Sequence, residues 1–175
     1  MLSWILDQPP KPAVCRAAGR TTRPNAAEDF LDISLDADNP PEGFELLAGR
    51  AEAEAFAGPF YQRRAADGQW QLGFRVTRRK LNKMGVCHGG VIALFADIQG
   101  TALKKTLGLN VESPTINISI DYAAAAPAGA WIQSQPQVVR RTPTLLFFQS
   151  LFFADETVCA RASGIYRLRR TPHDE

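Results

Sequence analysis

The chain has 175 residues, with 20 basic and 18 acidic side chains and a formal net charge of +2. That near-balance gives no electrostatic reason for nucleic acid or an anionic membrane as a partner, and the length suits one domain with a sizeable core plus a tail. Cys15, Cys87 and Cys159 show neither disulfide-like nor metal-like spacing, and neither a signal peptide nor an apolar span of about eighteen residues is evident, so a soluble, cytoplasmic protein is expected.

Residues 1–40 are poorly patterned and rich in breakers, and are read as an N-terminal extension or arm, partly ordered. Trp4, Ile5, Phe30 and Leu31 would lie over the domain or an oligomer interface. A single domain is expected over 41–170, followed by a polar end at 171–175. Pro41-Glu42-Gly43-Phe44 reads as a lead-in turn, and AEAEAFAG as a helix or an irregular approach. Phe60 to Arg64 predicts a first strand. Ala65-Ala66-Asp67-Gly68 predicts a hairpin turn of primed geometry, and Trp70 to Thr77 a second strand with apolar residues at every other position.

The centre of the chain is NKMGVCHGGVIALFADIQGTALKKTL, from Asn82 to Leu107. Val91 to Leu107 lacks proline and predicts one helix of four turns or more, with Gly108 as its stop. Its first half is apolar on almost every side, the pattern of a helix wrapped by other structure. Four strands then follow at Thr115–Tyr122, Ala130–Arg140, Thr144–Ala154 and Thr157–Leu168. Pro136 inside the second of these predicts an edge or a bulge there. One antiparallel sheet curled around one long helix, an α+β fold, satisfies this order with the fewest elements. The third of the four is apolar on both faces, so part of the sheet is expected against a partner, in an oligomer.

Chemistry concentrates in the same stretch. Gly89 and Gly90 start the helix, where unpaired N–H groups and the positive dipole end suit an oxyanion; a simple turn, with His88 packing or capping, is the bland alternative. Asp97 shares a helix face with Gly90, yet seven residues separate them by roughly 10 Å along the axis. One carboxylate cannot serve a group bound at the start of its own helix. If both act in one reaction, the second must come from a neighbouring subunit; an interface Asp without chemistry remains open. Asn82 either orients water or holds the turn, and Thr115 offers a hydroxyl at a pocket rim. Arg75, Arg78, Arg79, Lys80, Lys83, Arg140 and Arg141 could meet phosphates or form a solvated rim. No phosphate-loop, dinucleotide or zinc-protease motif is present, Cys87 beside His88 gives no support for a thiol pair, and no metal is expected.

The pattern N-x-x-G-x-x-H-G-G-x-x-x-x-x-x-D, carried by Asn82, Gly85, His88, Gly89, Gly90 and Asp97, resembles the hotdog-fold acyl-CoA thioesterases of the phenylacetic-acid-degradation (PaaI-like) type. Thr115, Asn117, Tyr122, Pro127 and Gly129 continue the likeness, which runs from about Pro41 to Arg170. It implies a hotdog fold and a homodimer with joined sheets, often a dimer of dimers. The implied reaction is hydrolysis of an acyl-CoA thioester at the subunit interface, with no cofactor, CoA being part of the substrate. By the same likeness Gly90, helped by Gly89, polarises the thioester carbonyl. Asp97 of the other subunit activates water or attacks directly, Asn82 places water or thioester, His88 shapes the loop, and Thr115 assists the water. Arg140 and Arg141 are the first choice for the CoA phosphates, although Thr142-Pro143 stands where many relatives have glycine. A non-catalytic acyl-CoA or acyl-lipid binder and, less so, a hotdog dehydratase or hydratase are the alternatives.

Overall fold

In the computed structural model, residues 37–49 and 51–169 are described, within a compact unit spanning Asp32–Glu175. The arm residues Trp4, Ile5, Phe30 and Leu31 and the polar end lie outside the described residues. The elements are β1 (Glu45–Leu46), α1 (Glu52–Ala57), β2 (Tyr61–Arg64), β3 (Trp70–Arg75), α2 (Gly89–Asp97), α3 (Gln99–Thr106), β4 (Thr115–Tyr122), β5 (Trp131–Arg141), β6 (Leu145–Ala154) and β7 (Thr157–Arg167). The seven strands form one antiparallel sheet in the order β1-β2-β3-β5-β6-β7-β4. The helical layer packs on one face of it. Phe95 of α2 stacks with Phe60 and meets Phe74 and Phe152 at ring separations of 4.9–5.9 Å, so one aromatic on the helix locks β3 and β6 beneath it. This is the hotdog arrangement. No helix among the described residues is long and apolar enough to cross a membrane.

The helix differs from the single run predicted. It breaks at Ile98, where ψ is 0°, and α3 restarts at Gln99. The cause is a side chain inserted into the hydrogen-bond ladder. The hydroxyl of Tyr166, from β7, accepts from the Gly100 N–H at 3.0 Å and donates to the Asp97 carbonyl at 2.9 Å. Nor is α2 wrapped on every side. Ile92, Phe95 and Ala96 are buried, while Gly90 and Asp97 are exposed and Ala93 and Leu94 are half-buried, which leaves one apolar face uncovered within the chain.

One smaller expectation is also corrected. The β2–β3 connection is five residues, 65–69, closed by Gly68 N–H to Ala65 carbonyl and by Asp67 Oδ1 accepting from Gln69 N–H. Gly68 is its only residue at positive φ, Ala66 and Asp67 lying outside that region; both primed turns need positive φ at the first central residue, so the turn is not primed. Of the edge or bulge expected at Pro136, the edge holds locally: β5 pairs with β6 there but no longer with β3, and the bulge falls between Val138 and Arg140. Proline is tolerated because β3–β5 pairing stops at Gln133, beyond which the Ser134 side chain accepts from the Leu72 N–H in place of backbone. The lead-in turn expected at 41–44 is present, closed by the Phe44 N–H to the Pro41 carbonyl, and short β1, not foreseen, follows it and pairs with β2.

The outer sheet face is part-covered by residues 38–47. Arg75 donates to the carbonyls of Asp38, Asn39 and Gly129 and lies over the Trp131 ring. Trp131, 4% exposed, packs edge-on against Phe44 at 4.9 Å. Gly73 makes room for it: a Cβ there would sit 2.4 Å from Trp131 Cζ2.

Candidate active site

Two arms of a site are built along one face of α2. At its start, Asn82 ties a tight turn, Oδ1 accepting from the N–H groups of Met84 at 2.8 Å and Val86 at 3.4 Å. Gly85 completes the turn at φ +76°, a value that favours glycine. Of the two roles open for Asn82, holding the turn is the one its oxygen performs here. The chain then passes Cys87, whose N–H bonds to Ala126, and His88, whose N–H bonds to Lys80. His88 is the N-cap of α2: its Nδ1 accepts from the Gly90 N–H at 2.9 Å. Gly90 is exposed at this helix end, while the Gly89 carbonyl accepts from the Tyr122 hydroxyl at 3.0 Å.

The other arm is at the end of α2. Asp97 is exposed, and its Oδ1 accepts from the Thr115 hydroxyl at 2.7 Å, a short charge-assisted contact. The structure therefore joins two predicted residues that lie eighteen apart in sequence. Beside them opens a cleft of about 670 Å³, whose lining includes Asp97, Thr115, Gly100, Thr101, Lys104 and Ser113. A depression of about 350 Å³ on the outer sheet face, with the exposed Asp121–Arg161 ion pair, lies away from this carboxylate. β4 spans both arms: Thr115, its first residue, holds Asp97, and Tyr122, its last, holds Gly89. Among the described residues it is also an edge of the sheet, with Ile116 and Tyr122 each 55% exposed.

The basic residues divide. Arg140 and Arg141 are exposed at the end of β5. Strand registers set Arg141, Leu146, Tyr166 and Thr115 in one row, which puts Arg141 three strands, about 14 Å, from Thr115. Lys80 is not available to a phosphate. It is 2% exposed, bonds to Thr77 and lies over the Phe74 ring, and burial pushes its ammonium below the usual range. Arg75 is likewise taken up by the backbone carbonyls it clamps. Burial pushes the Cys87 thiol up to about 12, so this neighbour of His88 is no thiolate nucleophile. Tyr166, which breaks the helix immediately after Asp97, has no counterpart among the sequence-predicted site residues; no local pattern marks a tyrosine 69 positions downstream.

The fold is that of hotdog proteins, with candidate site residues at both ends of α2. Residues 84–160 match the family model described as the thioesterase superfamily, a narrower span than the sequence likeness from 41 to 170. The chain is 27% identical over 134 residues to a Pseudomonas aeruginosa protein named "Putative esterase PA0474", covering 74% of this chain and 98% of that one. Among solved structures, the Streptococcus mutans protein smu.793, bound to acetyl CoA, superposes with a TM-score of 0.60 at 20% identity, covering 73% of this chain and 99% of that one. The E. coli PaaI protein of the phenylacetic acid degradation operon gives 0.56 at 20%, covering 66% and 86%. The resemblance to PaaI-like hotdog proteins and to the thioesterase superfamily holds.

Proposed function

We propose that the protein hydrolyses an acyl-CoA thioester to the free carboxylic acid and CoA, at a site completed by a second copy of the chain. The observation that carries this reading is the position of β4. Its edge runs beside α2 with the carboxylate at one end and the helix N-terminus at the other. An antiparallel copy paired on that edge brings the partner's helix N-terminus toward Asp97, the meeting that one chain cannot make across roughly 10 Å of its own helix. Such pairing would also cover Ile116 and Tyr122 and the open face of α2.

In the reaction, the thioester oxygen takes the Gly90 N–H over from His88 Nδ1, with Gly89 beside it. Negative charge building on that oxygen is stabilised by the N–H and the helix dipole. Thr115 occupies one oxygen of Asp97, which leaves the other to accept a proton from water as the water attacks the acyl carbon. The tetrahedral intermediate collapses, the C–S bond breaks, and the proton on Asp97 passes to the departing sulfur. Arg140 and Arg141 receive the CoA phosphates. The CoA-bound hotdog neighbours support CoA as the carrier. A pure binder has no use for a carboxylate held by Thr115 in an open cleft.

The test is release of free thiol from short, medium, long-chain and aryl acyl-CoAs by wild type, Asp97→Asn and Asp97→Ala, with mass measured in solution. Wild type is expected to turn over at least one ester as a dimer or larger, with Asp97→Asn down by about 100-fold or more at unchanged mass. Full activity in a strictly monomeric protein sinks the shared site. Binding of CoA esters without hydrolysis by any variant establishes the binder instead.

A further inference from the structure

We infer that Tyr166 is a positioning residue for the carboxylate: by entering the helix ladder between Asp97 and Gly100, it sets the orientation from which Asp97 works. The inference rests on the proposed role of Asp97 and extends it to a residue on the far strand.

The Tyr166 hydroxyl uses both its capacities inside the helix. It accepts from the Gly100 N–H at 3.0 Å and donates to the Asp97 carbonyl at 2.9 Å, with the Ala96 carbonyl at 3.4 Å. In an unbroken helix the Gly100 N–H would return to the Ala96 carbonyl, four residues back. Diverting it stops α2 at Asp97. The ring is held firmly enough to do this: it is 1% exposed and stacks on Phe148 at 4.9 Å with 15° between planes. Gly100 is shaped to receive it, since a Cβ there would lie 3.2 Å from Tyr166 Cζ and 3.1 Å from Ser113 Oγ. Burial pushes the phenol well above its usual range, so the donor keeps its proton throughout any working pH.

A second contact comes from the same rung of the sheet. Thr115 and Tyr166 are paired neighbours across β4 and β7. Thr115 holds the Asp97 carboxylate while Tyr166 holds the Asp97 carbonyl. Side chain and backbone of one residue are thus held from two adjacent, paired strands. Removal of the Tyr166 hydroxyl frees the Gly100 N–H to rejoin the helix, which turns Asp97 away from Thr115. A misplacement of about 1 Å at a reacting group can cost about 100-fold in rate.

The test compares Tyr166→Phe, Gly100→Ala and Gly73→Ala with wild type and Asp97→Asn, measuring kcat, KM and Tm on an ester that wild type hydrolyses. Tyr166→Phe keeps the ring and its stacking. It is expected to lower kcat by about 10- to 100-fold with KM changed by less than about twofold. Gly100→Ala, which crowds the hydroxyl out of the ladder, should shift kcat the same way and decides the matter where Tyr166→Phe fails to fold. Gly73→Ala, which displaces Trp131 on the outer sheet face, should lower Tm and leave kcat as in wild type. If Tyr166→Phe turns over like wild type while Asp97→Asn is dead, the positioning role is wrong and the reading of the site stands. An equal kcat loss in Gly73→Ala makes lowered stability the cause, which also overturns the inference. An active Asp97→Asn removes the reading of the site, and the positioning role with it.

Discussion

Thr115→Val isolates one contact of the candidate site. Valine keeps the β-branched shape that suits the strand and deletes only the hydroxyl that donates to Asp97 Oδ1 at 2.7 Å. A hydrogen bond to an ionised group contributes about 1.5–3 kcal/mol net. Both side chains are exposed within the single chain, so solvent screening brings the figure down to about 1 kcal/mol. At 1.36 kcal/mol per decade of rate, that is roughly a fivefold loss in kcat. Thr115→Ser keeps the donor and should stay within about twofold of wild type. The assay is the initial rate of thiol release over a range of substrate concentrations, with mass in solution checked for each variant because β4 is the sheet edge. A loss well beyond tenfold for valine would mean that a neighbouring subunit shields the pair from water. The reasoning fails if valine is as active as wild type, or if serine is impaired as much as valine.

Two further predictions concern stability. Gly73→Ala drives a methyl to within 2.4 Å of Trp131 Cζ2, so the indole must leave its place against Phe44 and under Arg75. Overpacking of that kind costs about 1–3 kcal/mol, offset by less than about 1 kcal/mol from a stiffer unfolded chain; a urea midpoint unchanged from wild type would refute it, and kcat should not move. Above pH 9 the fold should weaken with rising pH. The Cys87 thiol ionises near 9.0 in an unfolded chain and near about 12 when buried, so between those values the native state holds a proton that the unfolded state has lost. Stability is therefore full below 9.0 and declines as pH rises toward 12. Cys87→Ala should flatten the slope by one proton's worth in urea titrations at pH 9–11, with Tyr166 and Cys159, both pushed up by burial, keeping part of it. An identical slope in the variant would contradict the assignment.

Local signals were legible where a strand or turn follows from its own residues. The alternation of Thr115–Tyr122 matches β4 residue for residue, and the β6 and β7 boundaries fall within one residue of those predicted. Gly89-Gly90 after His88 marks the helix start because capping is a local event. What could not be read depends on contacts between distant parts of the chain. The break at Ile98 is made by Tyr166, across 69 residues. Lys80 looked like a rim cation, yet Asp38, Thr77 and the Phe74 ring give its ammonium a buried place. Pro136 signalled a locally unpaired edge, but not that Ser134 would take the Leu72 N–H where the β3 ladder ends. The candidate residues could be named from the sequence; the contacts among them could not. The spacing of Gly90 and Asp97 implied a second chain, but the hydroxyl that holds the carboxylate required the sheet.

The two-ended contact of β4 also has a consequence for assembly. Strand pairing moves in steps of two residues, about 6.6 Å, if side chains are to keep their faces. A neighbour docked on this edge one step out of place would keep most of its hydrogen bonds and much of its buried surface. Its helix N-terminus, however, would miss Asp97 by more than the length of a catalytic hydrogen bond. Association and competence are then separate properties: a mis-registered pair has the right mass and no turnover. Ile116, 55% exposed on that edge, is one of the side chains whose fit distinguishes a correct register from a slipped one, so substitutions there should act on specific activity before they act on size.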